Sequence, residues 1–529
     1  GSYKVAADYR NKLDGYVFNS KFNEKDWSGF IGMNKNWGYT HLTFSSFDQH
    51  TGLIEGLRDS ATGNFLKMIN NGGVEEERIA VRRDFLSNNP LFPNQRIKHI
   101  KIAADNSFRS GKNRIDMVLG YQNNKRKEYG NVLQPNEKNL FFDLGTVNYR
   151  MQYHFAEKKN FKATIGINGM QQTNKNKGKE QLIPEYSLFD LGAFIYTQKI
   201  LNKITVSGGV RFDNRSLDSK ELLDGSGIRF PAFNKNFTNV SGSAGISYEA
   251  NKKVTLKFNL ARGFRAPNIS ELASNGAHEG TNRYEYGEQS LKSENSFQAD
   301  AGILISSEHL SFHCNVFYNS INNFIYYRKL LSVFGGDSLI TNGTETFFAF
   351  HYDQDNAKLF GIEFNFDIHP HPLDWLHIEN TFSWVRGLLS KEQDGSRNLP
   401  NIPSARLINE LKVELFKKGK AIHNVFLKAE LENNFSQQHP FTGYNTETAT
   451  KGYSLLNAGF GGEVRKKDKV LFNIFIGATN ITDVTYQSHL SRLKYAPENL
   501  KSRRTGVYNM GRNFSLKLYV PLDLGKQHK

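Results

Sequence analysis

The side chains best equipped for chemistry gather in Ala261–Asp300, ARGFRAPNISELASNGAHEGTNRYEYGEQSLKSENSFQAD. His278, Arg283, Tyr284 and Tyr286 lie close together there, with Arg265 near the start of the stretch. Imidazole and phenol groups can ligate a metal, phenols can stack on planar groups, and guanidinium pairs with carboxylates. His489, in another long connection, could join such a site. His369 and His371, in His369-Pro370-His371-Pro372, resemble a metal pair, but two prolines in a short connection assign them to a turn. No GxSxG and no HExxH is present, so neither a nucleophile elbow nor a zinc-protease helix is encoded. The single cysteine, Cys314, excludes an internal disulfide and a cysteine metal cluster. It shares a face with Phe312, Val316 and Tyr318 and reads as a small apolar residue.

A strand over Val254–Leu260 leads into the stretch, with Val254, Leu256, Phe258 and Leu260 on one face and Thr255, Lys257 and Asn259 on the other. A second strand opens near Leu291. The same alternation recurs along the chain, for example in Lys203–Asp213, Asn239–Glu249 and the last strand, Asn513–Val520. Short turns fall at Ser110–Lys112, Glu157–Asn160, Leu201–Lys203, Asn251–Lys253, Ser306–Glu308, His369–Asp374, Lys417–Lys420 and Lys466–Lys469. Between them lie long polar connections near 50–96, 124–139, 174–186, 215–236, 265–290, 328–343, 387–402, 435–451 and 484–506. Short and long connections that alternate describe an up-and-down antiparallel barrel with one short-turn end and one long-loop end. A strongly polar second face cannot form a dry core, so it lines a lumen while the apolar face meets lipid. The expected fold is therefore all-β, a transmembrane antiparallel β-barrel of about twenty strands, one domain over 1–529, with the first strand near Tyr3–Tyr9.

Composition agrees. The 529 residues carry 41 Phe, 23 Tyr and 45 Gly against 13 Pro, which favours extended segments closed by glycine-rich turns. No run of about 18 apolar residues exists, which excludes a transmembrane helix. The formal net charge of +16 suits anionic partners such as lipid headgroups, lipopolysaccharide or a small acidic ligand. Nucleic acid fits less well, because no basic block accompanies a recognisable binding module. Polar-face charges such as Arg211, Asp213, Lys257 and Glu249 are expected to pair across strands and hold whatever fills the lumen. Phe324, Tyr326 and Tyr327 are expected in an interfacial aromatic girdle.

Several segments resemble TonB-dependent outer-membrane receptors, in the family's order. Phe264-Arg265-Ala266-Pro267 and the loop after it resemble the central barrel signature. Leu359-Phe360-Gly361-Ile362-Glu363 resembles its xGxE strand, and Asn401-Ile402-Pro403-Ser404-Ala405 its x-I-P-P strand start, with Ser404 replacing the second proline. Asn480, Asp483 and Tyr486 resemble the N-L-x-D-x-x-Y penultimate strand, and Gly511-Arg512-Asn513-Phe514 the closing strand. The loop wording is similar to receptors of the Bacteroidota type.

The resemblance implies a plugged barrel of twenty-two strands. Aligned on the last strand, the first strand here is the family's third, so two strands, the plug and the TonB-contacting segment are expected outside this chain. The N-terminus shows no signal-peptide pattern, and residues 522–529 extend past the point where the family usually stops. The implied function is energised import across the outer membrane of a Gram-negative bacterium, driven by TonB of the TonB–ExbB–ExbD complex, without enzymatic chemistry. In haem-importing members a histidine between a FRAP and an NPNL-like motif ligates iron. Here His278 occupies that place, Arg283 could meet a propionate, and Gly287-Glu288-Gln289-Ser290-Leu291 stands where the second motif belongs. No intrinsic cofactor is implied; the transported ligand is a ferric siderophore or haem, with copper or zinc complexes less suited. Arg265 is expected to fix the loop base. A passive porin, an outer-membrane enzyme and an adhesin are the competing classes.

Overall fold

The computed structural model describes residues 1–521 except 226, 279–282, 343–344 and 468; residues 522–529, including the expected C-terminal extension, lie outside the described residues. One sheet of 24 strands dominates. Four short members, Asn275–His278, Arg283–Tyr286, Leu339–Asn342 and Ser396–Asn398, belong to loops, which leaves twenty in the wall. Each wall strand pairs antiparallel with the next, from Ser2–Ala6 against Phe22–Lys35 to Lys469–Thr479 against Asn513–Tyr519. Tight turns such as Gly111-Lys112 and Asn202-Lys203 close one end, where Gly111 and Asn202 take the positive φ values of 61° and 52° that such hairpins require. A further turn at Asn36-Trp37 belongs to the same set.

The two faces differ as the alternation predicts. On Ile204–Ser219, Val206, Val210 and Phe212 are exposed on the apolar face. On the polar face Arg211 grips Asp213 and reaches Asn168 two strands away, while Arg215 pairs with Asp190 at 2.7 Å. Lys257 and Glu249 sit on neighbouring strands and are exposed. Gly361 has a packing reason: a Cβ there would lie 2.4 Å from the Trp384 carbonyl and 2.7 Å from the Phe317 ring.

One expectation about the wall is overturned. Tyr326 is not in a girdle; it is buried with Ala357, Leu389, Leu399 and Phe441, and Phe324 packs against that cluster. The cause is an irregularity in the pairing between Ile321 and Phe324, with Asn323 at φ 57°. Beyond that bulge Leu310–Lys329 continues into the loop layer, where both its faces are covered. The second strand of the central stretch also begins at Glu294, later than Leu291, because Leu291 is buried in the loop's own core.

The long connections form a second layer over one end of the wall. Residues 53–93 carry the hairpin Leu66–Asn71 and Val74–Ile79 and the short helix Arg82–Leu86. Val17, Phe18, Phe65, Ala80, Ala496 and Val507 form a buried cluster that binds the N-terminal segment to this connection and to the last one. Beside it Lys21 and Asp8 make a fully buried ion pair at 3.2 Å, and Lys21 also donates to the Asp84 carbonyl. Loss of one partner strands the other charge, at a cost of roughly 3–5 kcal/mol. Lys21→Met is therefore expected to accelerate limited proteolysis between residues 53 and 93 at least tenfold, while Asp8→Asn combined with Lys21→Met recovers most of the protection.

Candidate functional site in the long-loop layer

The stretch after Val254–Arg265 is anchored at its base. Asn268-Ile269-Ser270-Glu271 forms a capping box: the Asn268 side chain accepts from the Glu271 amide at 2.9 Å, and Glu271 accepts from the Asn268 amide at 2.8 Å. The helix so started, Ile269–Ala273, buries Ile269, Leu272 and Ala273 against Leu188, Leu217, Phe237, Leu291 and Ile325. Phe264 and Ala266 belong to the same packing. Arg265 fixes the base of the loop. Its guanidinium meets Glu294 at 2.6 and 2.9 Å and Glu271 at 2.8 Å, joining the start of the loop to its helix and to the strand that leaves it. Gly287 returns against the helix end, where a Cβ would lie 2.3 Å from the Ala273 nitrogen.

From that base rises the hairpin Asn275–His278 and Arg283–Tyr286, whose second strand lies parallel to Glu345–Ile368, with Arg283 opposite Phe348 and Tyr286 opposite His351. His278 is fully engaged. Its Nδ1 lies 3.1 Å from Glu285 Oε1, and its Nε2 accepts from Arg126 at 3.2 Å. Burial pushes the Glu285 carboxyl up, but His278 and Arg283 outweigh it and hold the group below its usual range. With one ring nitrogen donating and the other accepting, His278 offers no open lone pair to iron. Tyr284 donates to Asn275 Oδ1 at 2.9 Å and its ring tilts against Tyr286 at 4.9 Å. These two phenols and His278 stand outside the cavity that Arg283 enters.

That cavity, of about 270 Å³, joins two of the sequence-predicted residues, Arg283 and His489, although 206 positions separate them (489 minus 283). Tyr327, Phe348, Phe350 and Tyr495 give it aromatic walls; Lys329 and Arg492 add positive charge, and Glu55 and Glu447 negative charge. Arg283 lies over the rings of Tyr327 and Phe350 at 4.4 and 5.3 Å, and Lys329 over Phe348 at 4.5 Å. Burial raises the Glu447 carboxyl above its ordinary range, even though it accepts from the Asn401 and Phe441 amides. His489 is almost entirely buried; burial, helped by Lys494, lowers its pKa to about 4. Its Nδ1 lies 2.8 Å from Thr450 Oγ1, which Lys494 also meets at 2.7 Å. The arrangement can bind an anion that carries planar or aromatic groups.

The model of the family described as TonB dependent receptor-like, beta-barrel, matches residues 2–481. The chain belongs to this family. Solved structures with the same fold include the copper transporter OprC (14% identity, TM-score 0.73, covering 98% of this chain and 74% of that one). The FrpB iron transporter from Neisseria meningitidis follows at 11% identity and TM-score 0.66, covering 98% and 76%. The siderophore receptor PirA from Acinetobacter baumannii has 16% identity and TM-score 0.65, covering 98% and 74%. The family is one of receptors and places the chain in the outer membrane of a Gram-negative bacterium.

Within the receptor, the remaining motif residues fasten loops to the wall. Asn480 is bonded both ways to the Val484 backbone at 2.8 Å, Asp483 accepts from the Arg512 amide at 2.8 Å, and Tyr486 packs on Tyr453 at 4.3 Å. They therefore pin both ends of the connection that carries His489 and Arg492. Glu363 lies on the polar face of Glu345–Ile368, beside a depression shared with Tyr453 and His489. Sequence reasoning did not single out Lys329, Phe348, Phe350, Arg492 or Tyr495; the aromatic residues on either side of Arg328-Lys329 were the only local sign.

The depressed His489 pKa has a direct consequence. The unfolded ring gains its proton near pH 6.5 and the folded ring only near 4, so this contribution to loop stability is complete above about 6.5 and is lost as pH falls towards 4. The loss is at most about 3 kcal/mol. Hydrogen exchange of residues 446–450, corrected for intrinsic rates, is expected to lose protection over that window in the native receptor, and His489→Gln is expected to lack that acid-side loss.

Proposed function

We propose that this receptor captures a scarce anionic iron complex, a ferric siderophore in preference to haem, in the cavity between its long loops. The cargo then moves inward as TonB, energised by ExbB–ExbD, pulls on a plug held inside a closed, lipid-embedded barrel. Short turns face the periplasm and long loops the outside, as in outer-membrane barrels generally. The single observation that carries this reading is the convergence of Arg283, Lys329 and Arg492 on one aromatic-walled cavity. Three cations, two of them set over aromatic rings, suit a negatively charged chelate with planar arms, and the space of about 270 Å³ lies just below the roughly 300–1,000 Å³ of ligand pockets. Paired charges on the polar face, such as Arg215 with Asp190, suit a wall that contacts a plug. Haem coordinated by His278 is the weaker reading, because both ring nitrogens already have partners.

The test uses the full receptor and a ferric tris-catecholate chelate, with quenching of intrinsic fluorescence as readout. Arg283→Ala combined with Arg492→Ala is expected to weaken binding roughly 10–100-fold, the loss of one or two charged hydrogen bonds. His278→Ala is expected to leave a parallel haem titration unchanged in spectrum and affinity. Undiminished chelate binding by the double variant overturns the assignment of the cavity.

A further inference from the structure

At the opposite end of the wall, histidines gather around the turn between Glu345–Ile368 and Leu376–Gln393. Asp367, His377 and Glu414 project from the polar face of three successive strands, and His369 follows Asp367 at the start of the turn. His369 Nε2 lies 2.6 Å from Asp367 Oδ2. His377 Nδ1 is 3.5 Å from the same oxygen, and His377 Nε2 is 3.6 Å from Glu414 Oε1. The two imidazoles pack at a tilt, with 58° between their planes and 4.1 Å between centroids. One donor atom each from Asp367, His369 and His377 falls within 4.8 Å of the others.

The distances differ in kind: His369 is hydrogen-bonded to Asp367, whereas His377 stands off it. A separation of 3.5 Å between His377 Nδ1 and the carboxylate is long for a hydrogen bond. Two donors that share one cation at about 2.0–2.1 Å in a tetrahedron stand roughly 3.3 Å apart. A second observation is independent of these lengths: Asp367 Oδ1 is buried without a hydrogen-bond partner among the described residues. A buried carboxylate oxygen left bare is costly, and a cation or its bound water relieves that cost. Glu414, facing the far nitrogen of His377, has the place of the carboxylate that orients a metal-binding imidazole.

We propose that Asp367, His369 and His377 form a site for a late first-row divalent cation, with Glu414 orienting His377 and a fourth position taken by water. Binding replaces the proton shared by His369 and Asp367 and opens that contact to the spacing of co-ligands. Two imidazoles and one carboxylate select zinc, copper(II) or nickel over magnesium and calcium. The site lies at the short-turn mouth, remote from the loop cavity, so it stands or falls apart from the cargo. His371 and Asp374 of the same turn, with His309 from the neighbouring turn, form a second, more exposed trio and supply a control.

Tag-free full receptor, stripped with a chelator, is titrated with Zn²⁺ by calorimetry and with Co²⁺ by visible absorption. One equivalent of cation is expected, with a tetrahedral cobalt spectrum. His369→Ala combined with His377→Ala abolishes that equivalent, and Glu414→Gln weakens it roughly 10–100-fold. His371→Ala retains it. Heat-modifiable electrophoretic mobility establishes that each variant is folded. The proposal is overturned if the native receptor binds no stoichiometric cation, if the double variant binds equally well, or if His371→Ala abolishes binding.

Discussion

A strand that crosses lipid has no water to satisfy its amides and carbonyls, so each must find its partners in the next strand. That constraint accounts for the order of the wall. Twenty strands pair with their sequence neighbours, and the connections at one end shrink to a few residues. Side chains then have little choice: apolar residues such as Val206, Val210 and Phe212 take one face, and charges on the other must pair, as Arg215 does with Asp190. Freedom to build a large enclosed cavity remains in the long connections.

There the decisive contact is the fork of Arg265 between Glu271 and Glu294. It closes the base of a 28-residue loop (residues 266–293, from the ends of the two strands), holds the capped helix on its apolar bed and sends the hairpin up beside Glu345–Ile368. Arg283 lands over Tyr327 and Phe350 for that reason. The connection pinned by Asn480 and Asp483 brings His489 and Arg492 to the same place from the other side. Arg283 and Arg492 thus reach the cavity on two separately anchored loops, and further connections complete its walls.

Much of the wall was legible because period-2 alternation and turn residues are local signals: the strand order, the alternation of short and long connections and the position of the Arg265 stretch after the eleventh strand all follow from them. The structural task of Arg265 was legible too, since a guanidinium among carboxylates at a loop base has few other uses. Tertiary meetings were not legible. His278 loses its availability to Arg126, 152 residues upstream, which no local pattern announces. Phe324, Tyr326 and Tyr327 read as girdle residues because their bulge at Asn323 is invisible in the sequence, yet beyond it the strand enters the loop core. The prolines around His369 and His371 correctly signalled a turn, but hid the approach of His377 from the following strand.

The central claim, that the anchored loops bring Arg283 and Arg492 together in one anion-binding cavity, is tested most directly by an electron cryomicroscopy map of the full receptor with a ferric tris-catecholate chelate. The account predicts chelate density against Tyr327 and Phe350, within salt-bridge distance of Arg283 and Arg492. Density that instead sits on the outer side of the hairpin, coordinated by His278 or stacked on Tyr284 and Tyr286, with the cavity unfilled, would contradict it.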